Sequence, residues 1–527
     1  MPSTLVLGSA LFLVAWVIIR LSKLGSREPS LPPGPPTIPL LGNMLDFPKS
    51  RVHLKFTEWA RQYGDLFSLK IGNSTIVVVS SAKMLRECMD SRGATMSDRP
   101  HVYVAELVNG GLDMPWSHYG PTWRNLRRAS HDMLTKSACD KHLPIQRAEA
   151  TQLMADFLDT PDRFYTHIFR YSASVILSVV FGVHCASFEG SFIEEFHKSQ
   201  RNWDNLLRPG ASPPVEVFPI LKYIPRRYAP WKDKCDLVRQ GQTAVWRGLL
   251  TECIERMNNG KRNEAFLEYV IDHKEKYNLD ETLIGYLGFA LIEAGVDTTS
   301  IFLQFFVQLM SLHPDVRQRA QKEIDDVVGS NRTPTMDDLE HLPFVKAIIN
   351  EVNRYRPFAP TGVPHASTAD EHVGQYVVPK GATVFMNMWG IFRDEEVFEN
   401  PEEFNPDRYM KSKFGTKPGA DTTGFREDII FGSGRRICPG MHLASNSIAL
   451  NVMNLLWAFD FNHAKDPLNG QPIPIDPNAF SDGIVLSPEP FKCDIRPRSQ
   501  AKAELIRKEL TDAKSVFEQF EPAKSKV

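Results

Sequence analysis

The sequence has no paired-cysteine motif, because its seven cysteines are odd in number, widely scattered and nowhere spaced as CxxC. A disulfide framework and a zinc ribbon are therefore disfavoured, and the bulk of the chain is predicted to face a reducing compartment. The chain also has no basic excess, since its formal net charge is -2, so a nucleic-acid partner is not expected. It contains no internal repeat, no P-loop and no dinucleotide fingerprint, which disfavours a repeat architecture and a nucleotide site.

What the chain does have is an ordinary globular composition, with 42% hydrophobic and 24% charged residues, so disorder is excluded as its default state. Its 527 residues fit either two or three domains or one large, mostly helical domain. Long stretches with helical period separate a few short strands. This pattern favours a helix-rich body with minor sheet over residues 46–498.

The N-terminal segment is apolar, and the run from Pro2 to Ile19 carries no charge. At about 20 residues per bilayer crossing it is just long enough to span, so residues 1–25 are predicted to form one transmembrane helix. A cleaved signal peptide is the alternative, but no basic residue precedes the run and no A-x-A site follows it. Arg20, Lys23 and Arg27 follow the run, so the positive-inside rule places the rest of the chain on the cytoplasmic side.

Residues 26–45 are predicted to be a proline-rich hinge, because the segment LPPGPP at 31–36 cannot be helical and favours extended structure. The segment is either a plain linker or a semi-rigid spacer that sets the orientation of the body relative to the membrane. Residues 499–527 form a charged tail whose apolar stripe predicts an amphipathic helix. We expect this tail to dock on the protein's own surface or fray rather than bind a partner. The stripe consists of Ile506, Leu510, Ala513, Phe517 and Phe520.

Two strand pairs and one long helix stand out within the body. Strands at 67–70 and 75–79 flank Gly72-Asn73, which predicts a hairpin. A second pair, at 376–378 and 382–385, is joined by Pro379-Lys380-Gly381 and is also predicted to be a hairpin. The clearest helix runs from about Glu281 to Leu312.

One cysteine, Cys438, lies in the segment FGSGRRICPG at 431–440, directly before a helical pattern. In a glycine-rich loop at a helix start, amide N–H groups and the helix dipole stabilise a thiolate, which is a strong metal ligand. Gly434 and Gly440 permit tight turns and close approach of the backbone to a flat cofactor. The alternatives are an inert buried cysteine and a zinc half-site with His442, but no second pair of ligands accompanies His442.

This segment resembles the haem-binding signature of the cytochrome P-450 superfamily, whose Phe, Gly, Arg, Cys and Gly match at 431, 434, 436, 438 and 440. Segments at 123–127, 351–354 and 404–409 match the same family in order, so the resemblance covers the body from about Pro32 to Pro497. It implies the mainly α fold of that family with minor β sheets, and haem b with the Cys438 thiolate as axial iron ligand.

The resemblance also implies roles for individual residues. Glu351, Arg354 and Arg408 are expected to form a structural charge network behind the haem loop. Arginines suit carboxylates, and Trp123, Arg127, Arg436 and His365 are expected beside the haem propionates. The implied cofactor-binding set is Trp123, Arg127, Ala294, His365, Phe431, Arg436, Cys438 and Gly440.

An acid and alcohols interrupt the long apolar helix in the segment AGVDTT at 294–299, where their burial needs a reason. Gly295 and the polar side chains weaken a helix, so we expect it to open locally and hold water. The small Ala294 and Gly295 are expected to let the helix approach the distal haem face. The segment resembles the family's acid-alcohol pair, which implies that Thr298 hydrogen-bonds dioxygen and that Asp297, with ordered water, relays protons.

The resemblance implies a microsomal monooxygenase, anchored in the endoplasmic reticulum membrane and in contact with its lipid, that takes electrons from a separate NADPH-cytochrome P-450 reductase. Cytochrome b5 is the other candidate donor. The docking face is expected near Arg124, Arg128, Lys136 and Arg435. The predicted substrate is lipophilic, since its expected contacts are mostly apolar. They are Tyr103, Leu107, Met114, Ala290, Ala359, Val363 and Phe480.

With its proline-rich hinge and its PHAS segment at 364–367, the sequence resembles the filamentous-fungal branch of the family that is related to O-methylsterigmatocystin oxidoreductase. This resemblance implies a secondary-metabolite hydroxylase. Two other functions stay open at this point. A haem-thiolate isomerase or dehydratase would need no external electrons, although family members of that kind usually lack the acid-alcohol pair. A non-catalytic haem sensor would need no reductase either.

Overall fold

The computed structural model describes residues 24–189, 192–208 and 210–522, together with Trp16. Trp16 is helical and 48% exposed, and the rest of the predicted transmembrane helix up to residue 23 lies outside the described residues. Within the described part, two helical segments, Pro161–Phe181 and Glu281–Leu312, are long and apolar enough to cross a bilayer. Both are mostly buried inside the body, as core helices are.

The body is mainly helical, as predicted. In chain order the helices are α1 (Val52–Tyr63), α2 (Ala82–Leu85), α3 (Tyr103–Asn109), α4 (Pro121–Met133), α5 (Lys136–Asp140), α6 (Leu143–Asp159), α7 (Phe164–Phe181), α8 (Phe192–Leu207), α9 (Pro230–Asn258), α10 (Phe266–Asp272), α11 (Lys274–Tyr277), α12 (Glu281–Leu312), α13 (Pro314–Val328), α14 (Pro343–Tyr355), α15 (Met388–Ile391), α16 (Asp407–Lys411), α17 (Met441–Ala458) and α18 (Gln500–Phe517). Short 3-10 turns lie at Pro161–Arg163, Pro219–Tyr223, Arg226–Tyr228, Met336–His341, Ile429–Phe431 and Gly434–Arg436, and a π-helical turn at Arg86–Asp90.

The strands form one four-stranded sheet, in the order β1-β2-β7-β4, and three two-stranded sheets, β3-β10, β5-β6 and β8-β9. Their bounds are β1 (Leu66–Ile71), β2 (Ser74–Val79), β3 (Val183–His184), β4 (His365–Ala366), β5 (Glu371–Val373), β6 (Tyr376–Val378), β7 (Thr383–Met386), β8 (Phe459–His463), β9 (Cys493–Pro497) and β10 (Glu521–Pro522). The larger sheet carries His365 of β4 opposite Val384 of β7.

One of the two predicted hairpins is confirmed and the other is wrong. Strands β1 and β2 pair antiparallel around Gly72, whose φ of 57° suits the tight turn. Strands β6 and β7 both exist but do not pair with each other, because β6 pairs with β5 and β7 lies parallel to β2. The tripeptide Pro379-Lys380-Gly381 therefore carries the chain from one sheet to another, and long-range pairing overrides the local turn signal.

Helix α12 spans the predicted residues and organises the core. Asp280 caps it by accepting a hydrogen bond from the Leu283 amide at 2.8 Å. Its first half belongs to one hydrophobic cluster, which extends along the helix as far as Val296. Its second half, from Ile301, belongs to a second cluster with α6, α7, α14 and α17. The polar segment at 294–299 therefore lies where the two clusters meet.

The proline-rich segment is non-helical, as predicted, and it is bound to the first sheet. The Arg27 guanidinium donates to the Gly34 carbonyl at 2.8 Å and to the Ser68 hydroxyl at 3.1 Å. Asn43 donates to the Pro36 carbonyl at 2.8 Å and accepts from the Lys70 amide at 3.0 Å. Its role as a spacer above a membrane stays a prediction.

The predicted tail helix is α18, and it docks on the body of its own chain. Ile506 is fully buried in the main cluster, and Leu510 packs against that cluster. Phe517 stacks on His184 with ring centroids 4.3 Å apart. Lys502 donates to Asp325 at 2.9 Å, so charged contacts join the apolar ones. The expectation that the tail covers the protein's own surface is confirmed.

Candidate active site

A cavity of about 290 Å³ lies beside the middle of α12 and the loop that precedes α17. Its wall combines apolar side chains with a few polar groups, the usual character of a small-molecule site. Most of the residues predicted for the site come together here. Those that line the cavity are Met114, Trp123, Arg127, Ala290, Ala294, Thr298, Ala359, Val363, His365, Phe431, Arg436, Cys438 and Gly440.

The loop that carries Cys438 is held by backbone and carboxylate hydrogen bonds. The Cys438 amide donates to the Phe431 carbonyl at 2.9 Å, which closes the loop on itself. Asp90 accepts from the Gly434 amide and from the Ser433 hydroxyl, both at 2.7 Å. Gly434 has a φ of 65°, and a Cβ there would lie 2.2 Å from the Met89 carbonyl oxygen, so only glycine fits. Asp90 escaped the sequence analysis because nothing local ties it to a loop over 340 residues away.

The electrostatics of the Cys438 thiol differ from expectation. Burial raises the pKa of the Cys438 thiol. A hydrogen bond from the Gly440 backbone and the Arg127 guanidinium both lower this pKa, but they do not offset the effect of burial. The loop and helix start alone therefore do not hold the sulfur as a thiolate, which corrects the sequence-based argument. A bound cation deprotonates a coordinating thiol outright, so a metal would supply what the loop lacks.

Three guanidiniums, that of buried Arg99 and those of half-buried Arg127 and Arg436, face the same cavity, and no carboxylate oxygen of the described residues lies within 4.0 Å of any of them. Burial lowers the pKa of Arg436 to about 10 and also lowers that of Arg99 and Arg127. Arg436 donates to the Ser97 carbonyl at 2.9 Å and to the Ser117 carbonyl at 2.7 Å. Arg99 was missed, because an isolated arginine in a loop gives no sequence signal.

Trp123 and His365 complete this cationic end of the cavity. The Arg436 guanidinium lies over the buried Trp123 ring at 4.1 Å from its centroid. His365 is 1% exposed, and its Nδ1 lies 2.8 Å from the Met96 carbonyl oxygen. Because a carbonyl only accepts, that nitrogen carries the proton. Burial lowers the pKa of His365 well below its usual range, so its ring is neutral.

The predicted charge network is assembled next to the cavity wall. Arg354 donates two hydrogen bonds to the Glu351 carboxylate, at 2.7 and 2.8 Å, and both side chains are fully buried. Arg408 approaches the same carboxylate at 3.1 Å. Arg354 also donates to the Pro401 carbonyl at 2.8 Å, and Glu351 accepts from the Asn405 amide at 2.7 Å. The network thus ties α14 to the segment that leads into α16.

The acid-alcohol segment of α12 is continuous helix, so the expected local opening is wrong. Thr298 donates its hydroxyl to the Ala294 carbonyl at 2.7 Å. A Cβ on Gly295 would lie 2.5 Å from the Ile176 side chain, so this glycine permits close packing against α7. Packing there outweighs the roughly 1 kcal/mol by which glycine weakens a helix.

A group of buried carboxyls adjoins this segment. Burial raises the pKa of Asp297 well above its usual range, reinforced by Asp204 and Glu293. Glu293 lies one helical turn before Asp297. The Glu293 carboxyl contacts the carboxyl of Asp113, and Asp113 is 2% exposed. Asp113 Oδ1 and Glu293 Oε2 are buried and have no donor among the described residues. Since two carboxylates only accept, they hydrogen-bond to each other only when one is protonated.

The sequence analysis missed Glu293 and Asp113 at the site. Burial raises the pKa of Glu293 to about 7, and burial together with Glu293 raises that of Asp113. Gln200 of α8 donates to the other Glu293 oxygen at 3.3 Å. A glutamate in an apolar helix, four residues before Asp297, was the signal available for Glu293. Asp113 lies in a loop and gave none.

Three predicted substrate contacts do not line the cavity. Tyr103 packs against Trp231 of α9, with ring centroids 6.0 Å apart, and Leu107 joins the same cluster. Phe480 packs between His53 and Trp389, at 6.0 and 5.8 Å between centroids. These three side chains pack in other clusters, so their role as substrate contacts stays a prediction.

The basic residues predicted for a docking face are solvent-exposed. Arg124, Arg128, Lys136 and Arg435 are all exposed, and Arg435 lies over the Tyr119 ring at 5.5 Å from its centroid. Arg128 donates to the Lys276 carbonyl at 2.8 Å. The four charged groups are therefore accessible from solvent, and their role as a docking face stays a prediction.

The donor set of the cavity fits haem. One thiol sulfur is suited to iron, and three guanidiniums without a carboxylate partner match a pair of propionates in sign. Trp123, Phe431, Ala294 and Gly440 supply wall at which a flat ring can pack. Thr298 adds a hydroxyl to this wall, and Asp297 and Glu293 lie next to the wall on the same helix.

Comparison with known proteins gives the same family throughout. The cytochrome P-450 family model matches residues 32–495. A cytochrome P-450 monooxygenase of Armillaria gallica is 43% identical over 505 residues, which cover 96% of each chain. The monooxygenase yanC of Aspergillus niger is 38% identical, with 92% of this chain and 93% of its own covered. A zebra fish cytochrome P-450 solved with abiraterone has a TM-score of 0.66 at 26% identity, covering 85% of this chain and 100% of that one.

Proposed function

This chain belongs to the cytochrome P-450 family and is a P-450 monooxygenase, and we propose that it inserts one oxygen atom from dioxygen into a lipophilic small molecule of fungal secondary metabolism. Its electrons come from a separate NADPH-dependent reductase. The observation that carries the proposal is that Cys438, the unpaired arginines and Thr298 line one cavity.

Haem b bound in this cavity supplies an iron that activates dioxygen, with thiolate donation favouring O–O cleavage. Cys438 is the residue that holds the iron, and Arg99, Arg127 and Arg436 neutralise the propionates. Trp123 and His365 shape the cationic end. Glu351, Arg354 and Arg408 position the loop rather than act on substrate.

Thr298 and Asp297 are proposed to manage protons at the cavity. The Thr298 hydroxyl is held by the Ala294 carbonyl, which leaves its oxygen free to accept one hydrogen bond. Burial raises the pKa of Asp297, which suits this carboxyl to hold a proton and pass it on. Glu293 and Asp113 extend this route toward α8 and the loop after α3.

We predict that Thr298→Ala keeps haem but loses coupling, because the hydroxyl that guides protons is gone while Cys438 is untouched. Product formation is expected to fall by about 10²-fold or more, in the range typical of a positioned proton-transfer group. NADPH consumption continues and hydrogen peroxide accumulates. The ratio of product to NADPH consumed measures this. Ser311→Ala, on the same helix, serves as the matched control, because Ser311 is buried away from the cavity and also donates its hydroxyl to a carbonyl four residues back, that of Val307, at 2.8 Å. Unchanged coupling in Thr298→Ala would remove the proposed role.

We predict that Glu293→Gln slows proton delivery without removing haem, because the amide keeps the shape of the side chain but cannot pass a proton. Turnover is expected to fall by less than the roughly 10²-fold typical of a group that transfers the proton directly. The solvent deuterium isotope effect on turnover is expected to rise. Glu281→Gln, an exposed glutamate in the first turn of α12, is the control and should leave both values unchanged.

The same variant has a pH signature in stability. The folded state holds the Glu293 proton more tightly than the unfolded chain, so stability is lost as the pH rises from the ordinary glutamate value of 4.5 to about 7. Asp113, Asp204 and Asp297 face the same carboxyl and add to this slope. Urea unfolding at several pH values should therefore show a shallower slope in Glu293→Gln. An identical slope would contradict the raised affinity for the proton.

A lipophilic substrate is supported by the cavity wall. Val175, Ile176, Val179 and Phe266 line it, together with Ala290. The relatives reported above come from fungi, and several others of the family at 33–36% identity are fungal monooxygenases of the same kind. Which branch of the family the chain joins, and which metabolite it oxidises, stay predictions.

Turnover with NADPH, a purified fungal reductase and ¹⁸O₂ tests the proposal against the two functions left open. A product that carries one ¹⁸O atom supports the monooxygenase. A product formed without NADPH would instead favour an isomerase or dehydratase. Substrate candidates can be found by ligand-induced Soret shifts across a fungal metabolite extract.

Attachment to the endoplasmic reticulum membrane is proposed from the apolar N-terminal run and from exposed apolar side chains on the body. Gly42 pairs with Ile71 at the end of β1, and Val217 packs close to Gly72. The segments around 38–45 and 217–223 are therefore neighbours. Their exposed apolar residues are Ile38, Leu40, Leu45, Phe218, Ile220 and Tyr223. An exposed patch of this kind fits lipid contact beside an anchor.

A further inference from the structure

A cluster of metal-ligating side chains lies outside the cavity, in α3 and in the loops on either side of it. It consists of His101, Glu106 and His118, whose ligand atoms all lie within 4.8 Å of one another. His101 Nδ1 is 2.9 Å from Glu106 Oε1. The two imidazole rings lie with their centroids 4.4 Å apart. His101 and His118 are exposed and Glu106 is half-buried, so an ion can reach the cluster from solvent.

Two imidazoles and one carboxylate form a ligand set that zinc favours, with ligand distances of about 2.0–2.2 Å. Ligand atoms around one tetrahedral ion then lie about 3–4 Å apart. Both imidazoles are exposed, so small rotamer changes suffice to bring separations of up to 4.8 Å into that range. The ion replaces the proton that now joins His101 to Glu106. A fourth position stays open to water, as in zinc sites with three protein ligands.

A carboxylate outside the set orients one of the ligands. Asp98 Oδ1 lies 3.1 Å from His118 Nδ1 and accepts the Tyr119 amide at 2.7 Å. His118 Nδ1 is thereby committed to Asp98, and Nε2 is the nitrogen left for a metal. Metal-binding histidines commonly donate their other nitrogen to a carboxylate in this way. Asp98 is fixed in turn, because its carbonyl accepts the Ala366 amide of β4 at 2.8 Å.

The ligands bracket a segment that forms part of the cavity wall. His101 precedes α3, Glu106 lies within α3 and His118 precedes α4. Met114 and Pro115, between Glu106 and His118, line the cavity. An ion bound by all three ligands joins the two ends of this segment. The segment then has fewer open conformations, and passage of small molecules past Met114 slows.

We propose that His101, Glu106 and His118 form a zinc-class divalent-cation site that clamps the 101–118 segment and slows access to the cavity. Binding of the ion does not depend on the function proposed above. The clamp is read through the haem spectrum and so rests on that function.

The site is tested on the full-length, haem-loaded protein with ZnCl₂ in isothermal titration calorimetry and with CoCl₂ in visible absorption. One ion per chain is expected, with the ligand-field bands of cobalt bound to nitrogen and oxygen. His101→Ala and His118→Ala should lose this binding, and Asp98→Asn should weaken it by about 10- to 100-fold. His131→Ala, an exposed histidine on α4, should bind as the unaltered chain does. Equal zinc binding in the His101→Ala/His118→Ala double variant would overturn the site.

The clamp is tested separately with phenylimidazole, whose arrival at the iron shifts the Soret band. Saturating ZnCl₂ is expected to slow this shift in the unaltered chain and to leave it unchanged in the double variant. A zinc-binding chain whose rate is unaffected would overturn the clamp while leaving the site. A protein with no thiolate-type spectrum would instead indicate failure of the proposed function, which the calorimetric result does not share.

Discussion

Cys438→Ala is expected to abolish the thiolate-type Soret band of the reduced, carbon-monoxide-treated protein, and product formation should fall to background. The physical reason is that Cys438 is the one cysteine of the described residues whose sulfur lines the cavity, and the other six are buried elsewhere. Neither His365 nor His142 replaces it, since each would give a nitrogen ligand and a different band. The carbon-monoxide difference spectrum is the measurement.

Cys493→Ala is the matched control for this variant. Cys493 is also buried, its sulfur lies 3.2 Å from the Ser311 hydroxyl, and burial raises its pKa to about 11. This variant should keep the band and the activity. Thermal unfolding of both variants separates loss of the ligand from loss of the fold. A normal band in Cys438→Ala would remove the basis of the proposed function.

Glu351→Gln is expected to destabilise the protein by about 3–5 kcal/mol and to prevent haem incorporation, because it leaves the buried guanidiniums of Arg354 and Arg408 without their carboxylate. The lost network joins α14 to the segment before α16. Urea unfolding gives the free energy, and the pyridine haemochrome assay gives the haem content per chain. Arg354→Lys should also fail, since an ammonium cannot make the bidentate contact.

Glu58→Gln provides the comparison at the same sequence spacing. Glu58 accepts from Lys55 at 2.7 Å, again three residues apart in a helix, but Glu58 is solvent-exposed and Lys55 is only half-buried. An exposed pair contributes no more than about 1 kcal/mol, so this variant should unfold nearly as the unaltered chain does. Equal effects of the two substitutions would mean that burial does not determine the strength of the Glu351 network.

Residues close together in sequence were predicted well. The bounds of α12, the β1-β2 hairpin and the amphipathic tail follow from periodicity and turn residues, which act over a few positions. The Cys438 loop is also recognisable in the sequence, because its glycines and arginines lie within ten residues of one another. The family resemblance then predicted Trp123, His365 and the Glu351 network. Local sequence patterns could not predict these residues, because they lie far apart along the chain.

Predictions that required a partner far away in sequence failed or were never made. The second hairpin was wrong because β7 pairs with β2, whose paired residues lie 307 positions earlier, rather than with the adjacent β6. The opening of α12 was wrong because Gly295 packs against Ile176, a contact that helix propensity does not register. The site roles of Asp113, Asp90 and Arg99 could not be predicted from sequence. Each residue acquires its role only through contacts with residues that are distant in sequence.

The sequence by itself identified the chemical groups of the site: a cysteine in a glycine-rich loop before a helix, and an acid next to an alcohol in an apolar helix. It also identified the family to which both motifs belong. Tertiary structure alone decided which charges are buried without partners, which carboxyls share a proton and which side chains reach the cavity. The reason is physical, because propensity and spacing act through the local backbone, whereas desolvation and hydrogen-bond pairing depend on neighbours that the chain brings together only when it folds.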